Sequence, residues 1–402
     1  MFVVVQKFGG TSVANIERLK RVAEIIACER NKGSQVIAVV SAMSGVTDQL
    51  INYTKSISEL SLQHELAEYD AVVSSGEQVT AALLALALQA IDIRSRSFLG
   101  WQLPIVTDGA HSNSRIISIG TTQLIESLTK GEVPVISGFQ GVFNERITTL
   151  GRGGSDTTAV AIAAAVCANR CDIFTDVEGV FSADPRIIKK AKKIETITYK
   201  QMLTMATAGA KVMHPRAVDI SLSHNLKTQI LSSFSDAPGT ILVKDNKGLE
   251  RGSVLAVVSN GNVAIIKILN LSNDNDIIKK IFNYLNELAV SVQFICSSNQ
   301  NNLNLNATLI ISKDDVSIIS CVLQKFYLNF TVNEDIARIT VVSNGSGEKL
   351  MMLQKVFQIL SNSDINAMSV DAIDTNISII VKSEYKDATT IGLHSGFGLD
   401  TF

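Results

Sequence analysis

Short apolar runs rich in β-branched residues punctuate the first part of the chain: Val3–Val5, Val36–Val40, Val133–Ser137 and Cys171–Thr175. Between them, apolar positions recur at helical spacing. Ile16, Leu19, Val22, Ile25 and Ile26 form one stripe, with Arg18, Lys20, Arg21 and Glu24 on the opposite face. Gln123–Lys130, Asp156–Ala168 and Tyr199–Ala208 repeat that character, and Val79–Leu88 reads as an apolar helix. Strands alternating with helices predict an α/β fold, its largely parallel sheet covered on both faces. Such sheets bind ligands beyond the carboxyl ends of their strands.

The pattern changes near residues 245–252, in the polar stretch around Lys244-Asp245-Asn246-Lys247-Gly248. All five prolines lie before it, and asparagine becomes dense after it. The later units are smaller. Strand Val263–Ile268, helix Asp276–Leu288, strands Val290–Cys296 and Leu305–Ile311 and helix Asp314–Leu328 make a first pass. Strand Arg338–Ser343, helix Glu348–Leu360 and strands Ile365–Val370 and Asn376–Val381 make a second. Two small α+β units of one type are predicted, and Asn260-Gly261 between Val254–Val258 and Val263–Ile266 carries a hairpin signal. The expected partition is therefore 1–245, 252–332 and 333–402. Nothing in the later half clusters chemistry-bearing side chains, so its role is expected to be regulatory or structural.

Composition narrows the function. With 36 Lys+Arg against 38 Asp+Glu the net charge is −2. No basic excess exists to displace counterions from nucleic acid. The apolar runs Ala81–Leu88 and Ala159–Ala168 are shorter than the ~20 residues of a membrane span. Phe2-Val3-Val4-Val5 leads directly into Gln6-Lys7 and two glycines, which suits a buried strand better than a signal peptide. The five cysteines lack CxxC spacing, and reduced, mostly buried thiols in a cytoplasmic protein are expected.

Three segments carry candidate chemistry. Lys7-Phe8-Gly9-Gly10-Thr11-Ser12 joins the opening strand to a helix. Its glycines permit close backbone approach, and the helix end plus Lys7 suit a phosphate, though a tight turn with a solvated lysine fits too. The lysine precedes the glycines, so this is not the GxxxxGK[ST] loop. Gly151-Arg152-Gly153-Gly154-Ser155-Asp156 opens a second helix. Arg152 can hold a carboxylate bidentately, Ser155 can donate to one, and Asp156 gains from the helix dipole. Thr175-Asp176-Val177-Glu178-Gly179-Val180-Phe181-Ser182-Ala183-Asp184-Pro185-Arg186 follows a strand end. Phe181 can pack on a base and Arg186 reach phosphates, but an ordinary turn-rich loop is an equal reading. Ser41–Thr47, Ser74–Glu77 and Gly209–Arg216 are weaker; His214 is read as structural because no metal-ligand spacing surrounds it.

Taken in order, Lys7–Ser12, Ser41–Thr47, Ser74–Glu77, Gly138–Gly141, Thr149–Thr158, Thr175–Arg186 and Gly209–Arg216 resemble the aspartate kinases over essentially residues 1–243. Thr149–Asp156 is the most specific part, and the paired later units resemble tandem ACT domains. The resemblance implies an amino acid kinase αβα sandwich followed by two ferredoxin-like ACT domains. It also implies transfer of the ATP γ-phosphoryl group to the β-carboxylate of L-aspartate, the first step toward lysine, threonine, methionine and diaminopimelate. By similarity Lys7 and Lys211 flank the transferring group and Asp156 holds them. Phe8, Gly9, Gly10, Thr175, Asp176, Phe181, Asp184, Arg186 and Val212 line the ATP site, with Mg²⁺ on the phosphates and no protein metal site. Arg152 clamps the aspartate α-carboxylate, Glu77 pairs with its amino group, and Ser41, Thr47 and Ser155 complete the acceptor pocket. Where the family usually has Tyr, this chain has Phe181.

A homodimer or larger homo-oligomer through the ACT domains is implied, with lysine or threonine as effector. The turn that takes the effector, Ser272-Asn273-Asp274-Asn275-Asp276, lacks the Pro and Gly often found there. The second turn retains Gly345 and Gly347. The alternative is a catalytically silent amino-acid sensor, which predicts loss of a charged active-site residue. Lys7, Glu77, Arg152, Asp156 and Lys211 are all present.

Overall fold

A computed structural model describes residues 2–58, 60, 62–244, 254–271, 275–287, 290, 292–298, 305–343, 349–373 and 376–401. The chain divides into two compact units. The first comprises Met1–Val180, Lys193–Thr207 and Lys211–Lys247, and the second Phe181–Lys192, Ala208–Ala210 and Gly248–Phe402.

The first unit opens with β1 (Val3–Phe8), α1 (Ile16–Asn31), β2 (Gln35–Val40), α2 (Val46–Ile57), α3 (Gln63–Val73) and α4 (Ser75–Gln89). Then come β3 (Ser95–Phe98), β4 (Ile105–Thr107), β5 (Ile116–Ile119), α5 (Thr122–Thr129), β6 (Val133–Ser137), β7 (Gln140–Phe143) and β8 (Arg146–Thr149). They are followed by α6 (Gly154–Ala165), β9 (Arg170–Thr175), β10 (Val180–Phe181), β11 (Lys193–Ile194), β12 (Thr196–Thr198) and α7 (Tyr199–Ala208), of which Phe181 and Ala208 belong to the second unit. After these come α8 (Pro215–Ser223), β13 (Thr228–Ser232) and β14 (Thr240–Val243).

The main sheet has eight strands in the order β12-β14-β13-β9-β1-β2-β6-β3. The four runs that stand out in the sequence are its centre, adjacent and parallel. Only the β13–β14 pairing among its neighbours is antiparallel. Alternation along β2 sends Val36, Ala38 and Val40 into a core with Leu19, Val22 and Ile26 of α1 and Leu84 and Leu88 of α4. Ile37 and Val39 are equally buried on the other face. Each fully buried leucine contributes roughly 1.5–3 kcal/mol relative to exposure. A smaller sheet, β5-β4-β7-β8, completes the unit.

Helix α1 begins where the Asn15 side chain accepts from Arg18 N at 2.9 Å. Helix α6 stops at Ala165, short of the predicted Ala168, because Cys167 takes a left-handed φ of 49°. His64–Gln89 is long and apolar enough to cross a membrane, yet half of that window is buried in the unit, with Asp70 and Glu77 among its buried residues. It is a core element here. The cysteines differ from expectation: of those described, Cys171 is buried, while Cys28, Cys167 and Cys321 are exposed, and all four are free thiols. Cys28 falls on the outward face of α1, where a small, weakly polar side chain is tolerated.

The second unit contains β15 (Val254–Asn260), β16 (Ala264–Leu271), α9 (Asn275–Glu287), β17 (Gln293–Ser298), β18 (Leu305–Ile311), α10 (Val316–Lys325) and β19 (Phe330–Asn333). It continues with β20 (Ile336–Ser343), α11 (Lys349–Asn362), β21 (Ser369–Ile373), β22 (Asn376–Lys382) and α12 (Lys386–Gly396). Its two four-stranded sheets run β17-β18-β16-β19 and β15-β20-β22-β21. The hairpin expected at Asn260-Gly261 does not form. β15 pairs antiparallel with β20, whereas β16 pairs with β18 and β19. The place β19 takes beside β16 is taken beside β20 by β15, so the first small unit is inserted into the second. Residues 254–260 thus leave the 252–332 segment to which the sequence assigns them. The physical reason is burial: Val254 and Val257 pack with Ile339, Val356 and Ile379, a core only the second sheet supplies. The polar boundary at 245–252, most of the effector turn at 272–276, and Gly345 and Gly347 lie outside the described residues.

Candidate active site

The order of strands reverses at β1. α1 carries the chain from β1 to β2 on one side, while β9, reached through α6, lies on the other. A crevice therefore opens beyond the carboxyl ends of β1, β2 and β9. It is a cleft of about 470 Å³, and Lys7, Gly9 and Gly10 after β1 and Ser41 and Thr47 after β2 border it. Glu77 of α4, Arg152, Ser155 and Asp156 at the start of α6, and Thr175 at the end of β9 complete the border. Ten of the residues expected at the site thus meet in one place.

Lys7 Nζ and Asp156 Oδ1 are 2.6 Å apart, with both side chains 12% exposed. Asp156 Oδ2 also accepts from the His214 backbone N at 3.3 Å. A cation thus lies where β1 ends, held by a carboxylate in the first turn of a helix whose unpaired N–H groups already favour negative charge. Gly9 and Gly10 are small for packing reasons as well as for ligand approach. A Cβ at Gly9 would lie 3.3 Å from Lys7 Nζ, and one at Gly10 would lie 3.1 Å from the Ala42 carbonyl.

Glu77 is 3% exposed. Its Oε1 accepts from Ala42 N at 2.9 Å, while Oε2 is buried with no hydrogen-bond partner on another residue. Burial pushes its carboxyl up to about 7, against the opposing effect of the Ala42 N–H. A buried acid with an unused oxygen facing a cleft is suited to receive an ammonium group.

The glycine-rich segment is held by its neighbours. Gly151 and Gly153 have φ of 72° and 65°, the left-handed region. A Cβ on Gly153 would lie 2.2 Å from His214 Cβ. Gly153→Ala is expected to cost about 2–4 kcal/mol through backbone strain plus this overlap, read from the midpoint of urea unfolding. Burial lowers the ring pKa of His214, and its backbone N–H donates to the Asp156 carboxylate.

Several expected residues are placed elsewhere. Phe8 alternates away from Lys7 along β1 and is fully buried, stacked on Phe174 at 4.8 Å, so its side chain does not face a nucleotide. Lys211 is exposed between α7 and α8, makes no ion pair among the described residues, and neither it nor Val212 borders the cleft. Asp176 is exposed and accepts from Thr175 Oγ1 at 3.0 Å. Phe181, Asp184 and Arg186 belong to the second unit. There Arg186 clasps Asp184 through Nε and the terminal nitrogen at 3.0 and 2.8 Å, which holds the Asp184 carboxyl below its usual range.

Ala42 and Ser44 lie in the Ser41–Thr47 segment and Phe139 in Gly138–Gly141, though the sequence names none of them as a site residue; these three and Asp48, which it does not single out, border the cleft. Ala42 acts through its backbone N–H, which leaves no trace in residue type. Asp48 reads as an ordinary acid in the first turn of a helix.

The amino acid kinase family model matches residues 2–232. The chain is 41% identical over 401 residues to the aspartokinase of Rickettsia felis, covering 99% of each chain. It is 36% identical over 408 residues to the aspartokinase of Pseudomonas aeruginosa, covering 100% of this chain and 98% of the relative. Among solved structures, E. coli aspartokinase III in complex with aspartate and ADP matches with a TM-score of 0.81 and 24% identity. That match covers 98% of this chain and 99% of that one, and at this identity it speaks for the fold. The overall fold is thus shared with a solved aspartokinase, and the chain belongs to the aspartokinases of the amino acid kinase family.

Proposed function

We infer that this chain transfers the γ-phosphoryl group of ATP to the β-carboxylate of L-aspartate, giving 4-phospho-L-aspartate and ADP. The observation that carries it is the meeting of Lys7–Asp156, Arg152 and Glu77 in one cleft at the switch point of the sheet. Phosphoryl transfer needs alignment and neutralisation of spreading charge more than covalent help. The nucleophile is already an anion, so no general base is called for. Lys7 neutralises charge on the transferring group, and Asp156 keeps its ammonium in place. Arg152 takes the α-carboxylate of aspartate, Glu77 its ammonium, and Ser41, Thr47 and Ser155 close the pocket. Gly9, Gly10, Thr175 and Asp176 receive the nucleotide, with Lys211 and Val212 contributing when it binds.

Among the described residues no group of three or more His, Cys, Asp or Glu could cage a metal ion. Mg²⁺ is proposed to arrive on the nucleotide, since it keeps several waters and relies on phosphates plus one or two carboxylates. When bound, it neutralises phosphate oxygens; Asp156 is the nearest protein carboxylate to Lys7 that could face it. The second unit is proposed to sense lysine or threonine and to assemble the chain into a homodimer or larger homo-oligomer in the cytoplasm.

The test is an ATP- and Mg²⁺-dependent acyl-phosphate assay trapped with hydroxylamine, offered aspartate, glutamate and acetylglutamate separately. Hydroxamate from aspartate alone is expected, with inhibition by lysine or threonine if the second unit senses them. Arg152→Ala is expected to raise aspartate KM on the order of 10²-fold, with ATP KM little changed, because a charge-assisted bidentate contact is lost. An unchanged aspartate KM would move the α-carboxylate to another residue.

A further inference from the structure

Asp70 lies on α3 and is fully buried. Burial raises its carboxyl, and four donors oppose that: the Thr149 hydroxyl, His111 Nδ1, and the backbone of Ser112 and of Thr149. Thr149 ends β8, three positions before Arg152. Its carbonyl accepts from Ser114 N at 2.8 Å, tying β8 to the 111–114 loop. From the other side, Arg216 of α8 reaches the same two strips of chain. Its guanidinium donates to the Leu150 carbonyl at 2.6 Å, to Asn113 Oδ1 at 3.2 Å and to the Ser114 carbonyl at 2.8 Å. Gly151 rests on this brace, since a Cβ there would meet Asn113 Oδ1 at 2.7 Å. Arg152 emerges from it at the cleft. Its charge is felt by Tyr69, the neighbour of Asp70 on α3, and by His214 on the turn leading into α8.

We propose that Asp70 and Arg216 are positioning residues. They brace the Thr149–Gly151 segment between α3 and α8 and so fix where Arg152 meets the α-carboxylate of the acceptor amino acid. The proposal rests on the assignment of Arg152 as the carboxylate clamp. The cost of building it argues for function. A carboxylate buried with all its donors, and a guanidinium forked onto main-chain oxygens, are expensive to desolvate, and an apolar contact would hold β8 at least as firmly. What they add is direction, and displacement of a binding group by about 1 Å can cost ~10²-fold.

The experiment uses the full chain and compares aspartate KM, ATP KM and the thermal midpoint. Thr149→Val, which removes the hydroxyl from Asp70, is expected to raise aspartate KM about tenfold with ATP KM within about twofold. Thr149→Ser, which keeps the hydroxyl, is expected to restore it. In an Arg152→Ala background, Thr149→Val is expected to add nothing further to aspartate KM. Arg216→Lys, which keeps the charge but loses the fork, is the second variant should Thr149→Val fail to fold, with the same KM split expected. A lowered midpoint with unchanged aspartate KM, or both KM values rising together, overturns the proposal. An unchanged aspartate KM in Arg152→Ala removes the clamp and the brace argument with it. A raised KM there beside an unchanged one in Thr149→Val removes the brace alone.

Discussion

Lys7→Ala is expected to lower kcat on the order of 10²–10³-fold, the scale seen when a preorganised donor to a developing charge is removed. Two features make Lys7 such a donor. Its ammonium is 2.6 Å from Asp156 and 12% exposed, so it is held before substrate arrives and acts where water screens it little. It also lies beside Gly9, whose missing side chain leaves the room the ammonium occupies. Arginine in its place is therefore expected not to rescue the rate, because the larger guanidinium meets the Gly9–Gly10 backbone. Aspartate KM is expected to change little, since the lysine serves the phosphoryl group. Steady-state kinetics with both substrates varied would check this. A kcat within about tenfold of the parent would assign charge neutralisation to another cation. Asp156→Asn is expected to cost less than Lys7→Ala, and the double variant little more than Lys7→Ala alone, because the two side chains act as one unit.

Glu77→Gln is expected to separate stability from activity. The carboxyl titrates at about 7 in the folded protein against 4.5 as its ordinary value, because burial penalises the anion. A raised acid opposes folding once the unfolded chain has ionised. The penalty is absent below pH 4.5, grows as pH rises toward 7, and stays at its full value above that. Glutamine keeps the acceptor for Ala42 N and removes the ionisation, so at pH 8 the variant is expected to be more stable by on the order of 3 kcal/mol. At pH 4 the difference is expected to vanish. Aspartate KM is expected to rise on the order of 10²-fold or more, because the substrate ammonium would enter a buried site with no counter-charge. In the parent protein aspartate KM is expected to fall as pH rises from 6 to 8, as Glu77 ionises. Urea unfolding at both pH values, paired with KM against pH, checks the whole chain of argument. A Gln variant whose stability gain over the parent is no larger at pH 8 than at pH 4 would show that burial does not raise the Glu77 carboxyl.

The sequence exposes whatever burial writes into consecutive residues. Val3–Val5 and Val36–Val40 are legible because central parallel strands are apolar on both faces, and they proved to be neighbours. The strands of the smaller sheet have three or four residues each, with exposed positions among them, and no periodicity survives at that length. The strand β15 looked like half of a hairpin because turn chemistry is local, while its true partner is set by a core far along the chain. Lys7, Arg152 and Asp156 were legible from glycine-rich turns at strand and helix ends. The Phe8 side chain is turned into the core, since a strand sends neighbours to opposite faces. Asp70 carried no signal at all: its partners stand 41, 42 and 79 positions away, and nothing around it marks a buried acid.

The placement of β15 beside β20 has a consequence for synthesis. About 75 residues separate the two strands, so β15 leaves the ribosome well before the edge it completes, at ~5–20 residues per second. During that interval the inserted unit, whose strands β16 to β19 are contiguous in the chain, can fold behind it. The last sheet must then close around an already folded neighbour. A shorter product begun anywhere after Asn260 would lack a strand of that last sheet and leave β20 with an open edge, prone to pair with another chain. A regulatory fragment made from this sequence therefore has to begin before Val254 to fold as a complete body.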